Sequence, residues 1–132
     1  MTLQVQLVSP ERILFEGEAE MVIARTLEEG DIAFLTGHAP FLGALDIATV
    51  TIRPAEGDDQ KAAIHGGFVS VSDDRVILLS DVAELADHID EDRARAAKDR
   101  AEKKAMSDDD AEAEGALARA HARLNAVGRL GE

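Results

Sequence analysis

The run Ile89 to Ala94, reading IDEDRA, is where this chain places side chains whose types and spacing could do chemistry. On a helix, Asp90 and Arg93 fall three residues apart on one face and Arg100 lies two turns further on, so a carboxylate and two guanidiniums would converge. Guanidiniums drawn together repel one another unless an anion fills the space between them. That chemistry is anion recognition. A solvated charged face is the plainer reading, and on the residues alone it is the stronger. Other chemistries find no support. His38, His65, His88 and His121 are scattered, without the paired spacings of a metal site, and no Gly-rich loop opens a helix as a phosphate cradle would. The acidic run Asp108–Asp110 fits the first turn of a helix capped by Ser107 better than a cation site. No nucleophile and base stand at a useful spacing, so the chain is not expected to be an enzyme.

The segment that carries IDEDRA reads as helical. Ala94, Ala97, Ala101 and Ala105 form one stripe, and Glu91–Arg95 and Asp99–Lys103 are acid-before-base pairs at i,i+4. Ala113, Leu117, Ala120, Leu124 and Val127 form a second stripe that Gly128 closes. The two helices are predicted to make an antiparallel hairpin joined around Met106 to Asp108. A buried Ala methyl contributes only about 0.8 kcal/mol and a Leu roughly 1.5–3, while ordering costs about 1–2 kcal/mol of backbone entropy per residue. Such a hairpin is marginal and suited to moving.

Ahead of it the period is 2. Leu3, Val5 and Leu7 alternate with Gln4 and Gln6; Ile13–Phe15 begin a second strand that Gly17 breaks; Ala19, Met21 and Ile23 alternate in a third. Ile47–Ile52, Ala62–Ile64, Phe68–Val71 and Val76–Leu79 follow, with turns at Pro54–Asp59 and Ser72–Asp74. Gly66-Gly67 marks a bulge or a close backbone approach. The predicted fold is an N-terminal all-β sandwich or barrel of short strands, residues 1–86, followed by a C-terminal antiparallel α-helical hairpin, residues 87–132.

Composition agrees with that division. Residues 1–87 carry 5 Lys/Arg against 16 Asp/Glu, and residues 88–132 carry 9 against 11. Of the 132 residues, 45% are hydrophobic but only 3% aromatic, so aliphatic side chains must fill the core. A formal charge of −13 argues against nucleic acid and against adsorption on anionic lipid. There is no cysteine, no apolar run long enough to insert into a bilayer, and no signal or transit pattern. The expectation is a soluble, cytoplasmic chain that reaches a membrane only through a partner.

The stretch Gly30–Leu45, GDIAFLTGHAPFLGAL, combines two turns with apolar residues: Gly30-Asp31, then Ile32, Phe34 and Leu35 as a buried run, then Gly37-His38-Ala39-Pro40, with Phe41, Leu42 and Leu45 returning to the core. It resembles the signature of the epsilon subunit of F-type ATP synthases. The resemblance extends to the opening LQVQLVSPERILFEGEAE, to Gly66-Gly67-Phe68, to Ile89-Asp90 followed by Arg93-Ala94, and to the Ala/Arg-rich C-terminal helix. It implies a non-catalytic rotor subunit that couples proton translocation to ATP synthesis. Its partners would be the gamma subunit, the membrane rotor ring of c subunits and, through the hairpin, the catalytic alpha/beta head. Its place would be the cytoplasmic face of the bacterial plasma membrane. By position, Asp31 would mark the edge facing the ring, His38 the loop near gamma, and Phe41 and Leu42 the contact beside it.

The same resemblance bears on IDEDRA, which is similar to the ATP-binding motif of some bacterial epsilon subunits. It implies that Ile89, Asp90, Arg93, Ala94 and Arg100, with Arg119 and Arg123 from RAHARL, hold ATP as a regulatory ligand; no cofactor is required. Members that inhibit ATP hydrolysis extend a strongly basic last helix, whereas this one offers only Arg119, Arg123, Arg129 and His121. Rival readings are a free-standing nucleotide sensor acting through its hairpin, and a ligand-binding β-sandwich, which the lack of aromatic platforms disfavours.

Overall fold

A computed structural model describes residues 2–107 and 111–128. Eight strands come first: β1 (Leu3–Val8), β2 (Ile13–Ala19), β3 (Met21–Thr26), β4 (Gly30–Leu35), β5 (Phe41–Arg53), β6 (Gln60–Ser72), β7 (Arg75–Leu79) and β8 (Ala83–Leu85). A 3-10 turn (Ala86–His88) leads into α1 (Glu91–Ser107) and α2 (Ala111–Ala126). The sheet runs β2-β1-β7-β6-β5-β3-β4, with β8 on β6; β1 and β7 are parallel, and the other pairs are antiparallel. This is the expected β-sandwich followed by a helical hairpin.

The long pair β5–β6 folds the sheet over its own core. On β6 the inward residues are Ala62 and Ile64 at one end but Val69 and Val71 at the other, so the buried face changes from even to odd positions. On β5 the change runs from Leu45 to Val50 and Ile52. Side chains alternate strictly along a regular strand, so such a change needs an interruption. Gly66 and Gly67 supply it on β6, with φ of +85° and +127°. A Cβ at Gly67 would run into the Leu79 carbonyl and the Ser80 backbone. Of the two expectations for this dipeptide, the close backbone approach is realised; the register against β5 stays constant through it, and irregular pairings lie instead between β3 and β5 and between β1 and β2. Ser80, buried at the same corner, has Oγ 2.6 Å from the Gly66 carbonyl and 2.9 Å from that of Val82, and shares one hydroxyl proton between them.

Several expectations are corrected. β2 continues through Gly17, which pairs with Val5, and the chain bends at Glu20 instead. That bend slips the phase of β3, so Val22 and Ala24 enter the core in place of Met21 and Ile23. Leu35 and Leu42 are exposed rather than buried, because they point away from Phe34 and Leu45 on their strands. The separate strands expected on either side of Gly66-Gly67 are one strand, and β8 is additional. Ser107 is the last residue of α1, and Asp108–Asp110 lie outside the described residues, as does Arg129. On the expected helix faces Ala94, Ala101, Ala113, Ala120 and Leu124 are buried, and Gly128 (φ +77°) follows the end of α2 as expected.

Replacing Gly67 by Ala forces a side chain into a region of backbone space that is essentially reserved for glycine, against a fixed carbonyl. Gly67→Ala is expected to destabilise the chain by at least about 2 kcal/mol. Denaturant unfolding checks this, and a loss below half that value would mean that the corner relaxes freely.

Candidate functional site

Register across three strands sets out the surface on which α2 lies. Thr49 of β5 stands opposite Ala63 of β6, which stands opposite Glu84 of β8, and Ile47 opposite His65 forms the adjoining row. These residues occupy the outer face of the folded sheet. Ala63 is fully buried there, packed with Ala122 and Ala126 of α2 and bordered by Ile47, Ala86 and Ile89. Polar contacts flank this small apolar patch. Thr49 Oγ1 donates to the Ala122 carbonyl at 2.9 Å and accepts from Asn125 Nδ2 at 3.1 Å, and Arg123 Nε donates to Glu84 Oε1 at 2.7 Å.

His65 lies beneath the ion pair with its side chain 5% exposed, its Nε2 3.7 Å from Glu84 Oε1 and without a hydrogen-bond partner. Burial pushes its pKa down to about 4, helped by the charges of Arg123 and Arg119 and opposed by Glu84. The ring is therefore neutral near pH 7.

Between β8, the 3-10 turn, α1 and α2 opens a groove of about 380 Å³. The start of the hairpin lines it with Asp90, Arg93, Ala94, Ala97 and Arg100, α2 contributes Arg123, and Glu84 and His88 complete it. Five residues of the predicted ATP set thus share one groove. Ile89 lies instead in the apolar patch under α2, and Arg119 is not part of the lining. Asp90 precedes the helix, and its Oδ1 accepts the Arg93 backbone N–H at 3.0 Å. It is the N-cap of α1, which corrects the expectation that Asp90 and Arg93 share a helical face. The groove gathers three guanidiniums against two carboxylates, one committed to the cap and one to Arg123. Such a surface can bind an anion; it offers no nucleophile. Sequence reasoning missed Glu84 and His88, which lie on and just after an unpredicted strand.

The four predicted contact residues differ in how far they are already engaged within the chain. Asp31, on the edge strand β4, holds Arg25 in a two-point pair at 3.0 and 3.4 Å. His38 Nδ1 lies 2.7 Å from the Ala39 carbonyl, and its ring meets buried Phe34 edge-on at 5.0 Å. Phe41 packs on the same Phe34 at 5.6 Å. Leu42 stands out at 76% exposure. Among the described residues no group of His, Asp and Glu is gathered as a metal site, and no helix is long and apolar enough to cross a membrane.

The folded chain takes up the His65 proton only near pH 4, whereas the unfolded chain takes it up near 6.5, so acid favours unfolding across that window. Stability is expected to fall by roughly 3 kcal/mol from this group as pH drops from 6.5 to 4, and to level off below. Denaturant melts of wild type and His65→Gln at pH 7 and 4.5 isolate the effect. The wild type should lose more than the variant; parallel losses would show that His65 is not held neutral.

Comparison with known proteins agrees with this architecture. Residues 2–86 match the family model described as ATP synthase, Delta/Epsilon chain, beta-sandwich domain, and residues 87–128 match that described as ATP synthase, Delta/Epsilon chain, long alpha-helix domain. The ATP synthase epsilon chain of Streptomyces griseus is 49% identical over 125 residues, spanning 95% of this chain and 94% of the relative. That of Thermobifida fusca is 47% identical over 126 residues, spanning 93% and 90%, and that of Moorella thermoacetica 38% over 133, spanning 98% of each. A chain of the Euglena gracilis mitochondrial ATP synthase, from its OSCP/F1/c-ring assembly, superposes with a TM-score of 0.72 over 98% of this chain and 79% of that one; at 21% identity it speaks for the fold. Since both domain models match in order and close relatives are covered almost end to end, the chain belongs to the ATP synthase epsilon-chain family.

Proposed function

We infer that the chain is a non-catalytic central-stalk subunit of an F-type ATP synthase, coupling proton translocation to ATP synthesis as part of the rotor. The observation that carries this reading is the match of both halves, in order and nearly end to end, to epsilon chains. It would sit at the cytoplasmic face of the bacterial plasma membrane, held there through gamma and the ring of c subunits. The sandwich, residues 1–86, supplies the docking surfaces, and the hairpin, residues 87–132, the movable part.

An apolar strip supports the docking role. Above the corner, Ala44, Phe68 and Leu79 stand in one row across β5, β6 and β7, and Leu42 begins the next. Leu42, Phe68 and Leu79 are 76%, 57% and 45% exposed on an otherwise strongly acidic domain. Contiguous exposed apolar side chains favour a protein partner, here gamma. Leu42 rather than Phe41 is then the informative position, since Phe41 is already engaged with Phe34. Leu42→Asp is expected to leave the free subunit folded and to weaken co-purification with gamma by at least about tenfold, with Glu56→Gln unaffected. Equal recovery of both variants would remove the strip as the docking face. A wild-type chain that never co-purifies with gamma would favour the rival, a free-standing nucleotide sensor.

The Arg93–Arg100–Arg123 groove supports ATP as a regulatory ligand that closes the hairpin. Ligand at 100 times its dissociation constant adds roughly 2.7 kcal/mol to the state that binds it, enough to tip a marginal element. Millimolar ATP is expected to slow amide exchange in α1 and α2 while leaving the strands unchanged. Arg93→Ala should abolish the effect without removing the cap, because Asp90 bonds the Arg93 backbone. Exchange that ignores ATP would leave the groove as a solvated charged face.

A further inference from the structure

We propose that His65 makes the seating of α2 on the sandwich proton-linked: α2 lies on the sheet while the His65 ring is neutral, and protonation of that ring favours its release. This rests on the movable-hairpin reading above, needs no nucleotide, and gives the hairpin acidity as an input.

Strand pairing fixes where the ring sits. His65 lies two residues beyond Ala63 on β6 and opposite Ile47 on β5, so it belongs to the outer face that α2 covers with Ala122 and Ala126. Its backbone N–H donates to the Val82 carbonyl at 3.0 Å, which keeps the residue in place whatever the charge of its ring. Charges act on the ring from two elements: Glu84 from β8, and Arg123 and Arg119 from α2, while β5 opposes it with apolar Ile47.

A proton added to the seated ring is disfavoured in three ways. It puts a full charge on a side chain that is 5% exposed. In the imidazolium both nitrogens carry protons, yet buried Nε2 has no hydrogen-bond partner, and Glu84 Oε1 stands 3.7 Å away, beyond hydrogen-bond length. The new cation also sits near two guanidiniums, whose repulsion Glu84 offsets only in part. Lifting α2 removes both arginines and opens the ring to water, so the released chain takes up the proton readily and the seated chain resists it. Among the described residues the core beneath holds no buried ionisable side chain, so the strands do not share this response.

The seated ring titrates at about 4 and a released one near the ordinary 6.5. Seating is therefore at full strength above pH 6.5, weakens as pH falls from 6.5 to 4, and levels off below that. Relative to pH 7.5, the equilibrium shifts toward release by about twofold at pH 6.5 and about tenfold at pH 5.5, a range that lies above ordinary carboxylate titration.

The experiment follows amide hydrogen exchange of the full chain without nucleotide at pH 7.5, 6.5 and 5.5, with rates corrected for the intrinsic pH dependence of exchange. Wild type, His65→Gln and His65→Leu are compared, and melting curves establish which variants are folded. In the wild type, protection of α2 is expected to fall about tenfold from pH 7.5 to 5.5 while β6 and β7 keep theirs; a folded variant of either kind should change by less than about twofold. If α2 opens before the strands but equally at each pH, or falls in parallel in wild type and variants, the proton link is overturned and the movable hairpin stands. If α2 and the strands exchange together at every pH, the hairpin does not open separately and both readings fall.

Discussion

The structure depends on the corner in β5 and β6, where two long strands exchange their inward and outward faces without losing register. Below it, even-numbered residues of β6 face the core and odd-numbered ones face out; above it, the assignment is reversed. The lower outer face then presents Ala63 and His65, and the upper presents Phe68. The same conformational change therefore decides where a helix can lie and where an apolar strip is left for a partner. The chain leaving β7 must step past this corner at Ser80 before β8 can resume pairing with β6, and that step is what brings Glu84 into line with Ala63 and Thr49.

The hairpin is held by contacts that are few and small. Ala63, Ala122 and Ala126 bury little area compared with the Leu, Val and Ile of the sandwich, so the polar ties at Thr49, Asn125 and Arg123 carry a larger share of the attachment. Hydrogen bonds and partly exposed ion pairs contribute on the order of 1 kcal/mol each, and they are reversible by competition in a way that buried leucines are not. The detachment of the helices proposed above would need this distribution, with dispersion and area in the sheet and exchangeable polar contacts over it.

Charge is arranged with the same economy. The chain is strongly acidic, yet Arg93, Arg100 and Arg123 gather in one groove, with Asp90 committed to a helix cap and Glu84 to Arg123. The surrounding negative field disfavours anions generally, so binding requires several guanidiniums acting together at short range. His65, kept neutral by burial, adds no positive charge to that set.

Much was determined by sequence alone. Alternation in Leu3, Val5 and Leu7, the change to helical period after Asp87, the turn at Gly37 to Pro40 and the stop at Gly128 are all local, because they follow from backbone periodicity and from residues that permit or forbid particular dihedrals. Of the arginine groove only the α1 side was legible locally, in the helical spacing of Arg93 and Arg100, and Arg123 entered through the family resemblance. Other features waited for the tertiary structure. Whether Val22 or Met21 enters the core turns on a one-residue bend, and whether Phe41 or Leu42 faces a partner turns on the phase of β5; alternation supplies two faces and does not say which one is covered. β8 is too short to carry a periodic signal, and it forms because Ala62–Ile64 offers it an open edge. Asp90 reads equally well as face-mate or cap until the helix start is known. Glu84, His65 and Arg123 are far apart in the chain, and only strand pairing, a long-range constraint with no local signature, sets them within reach of one another.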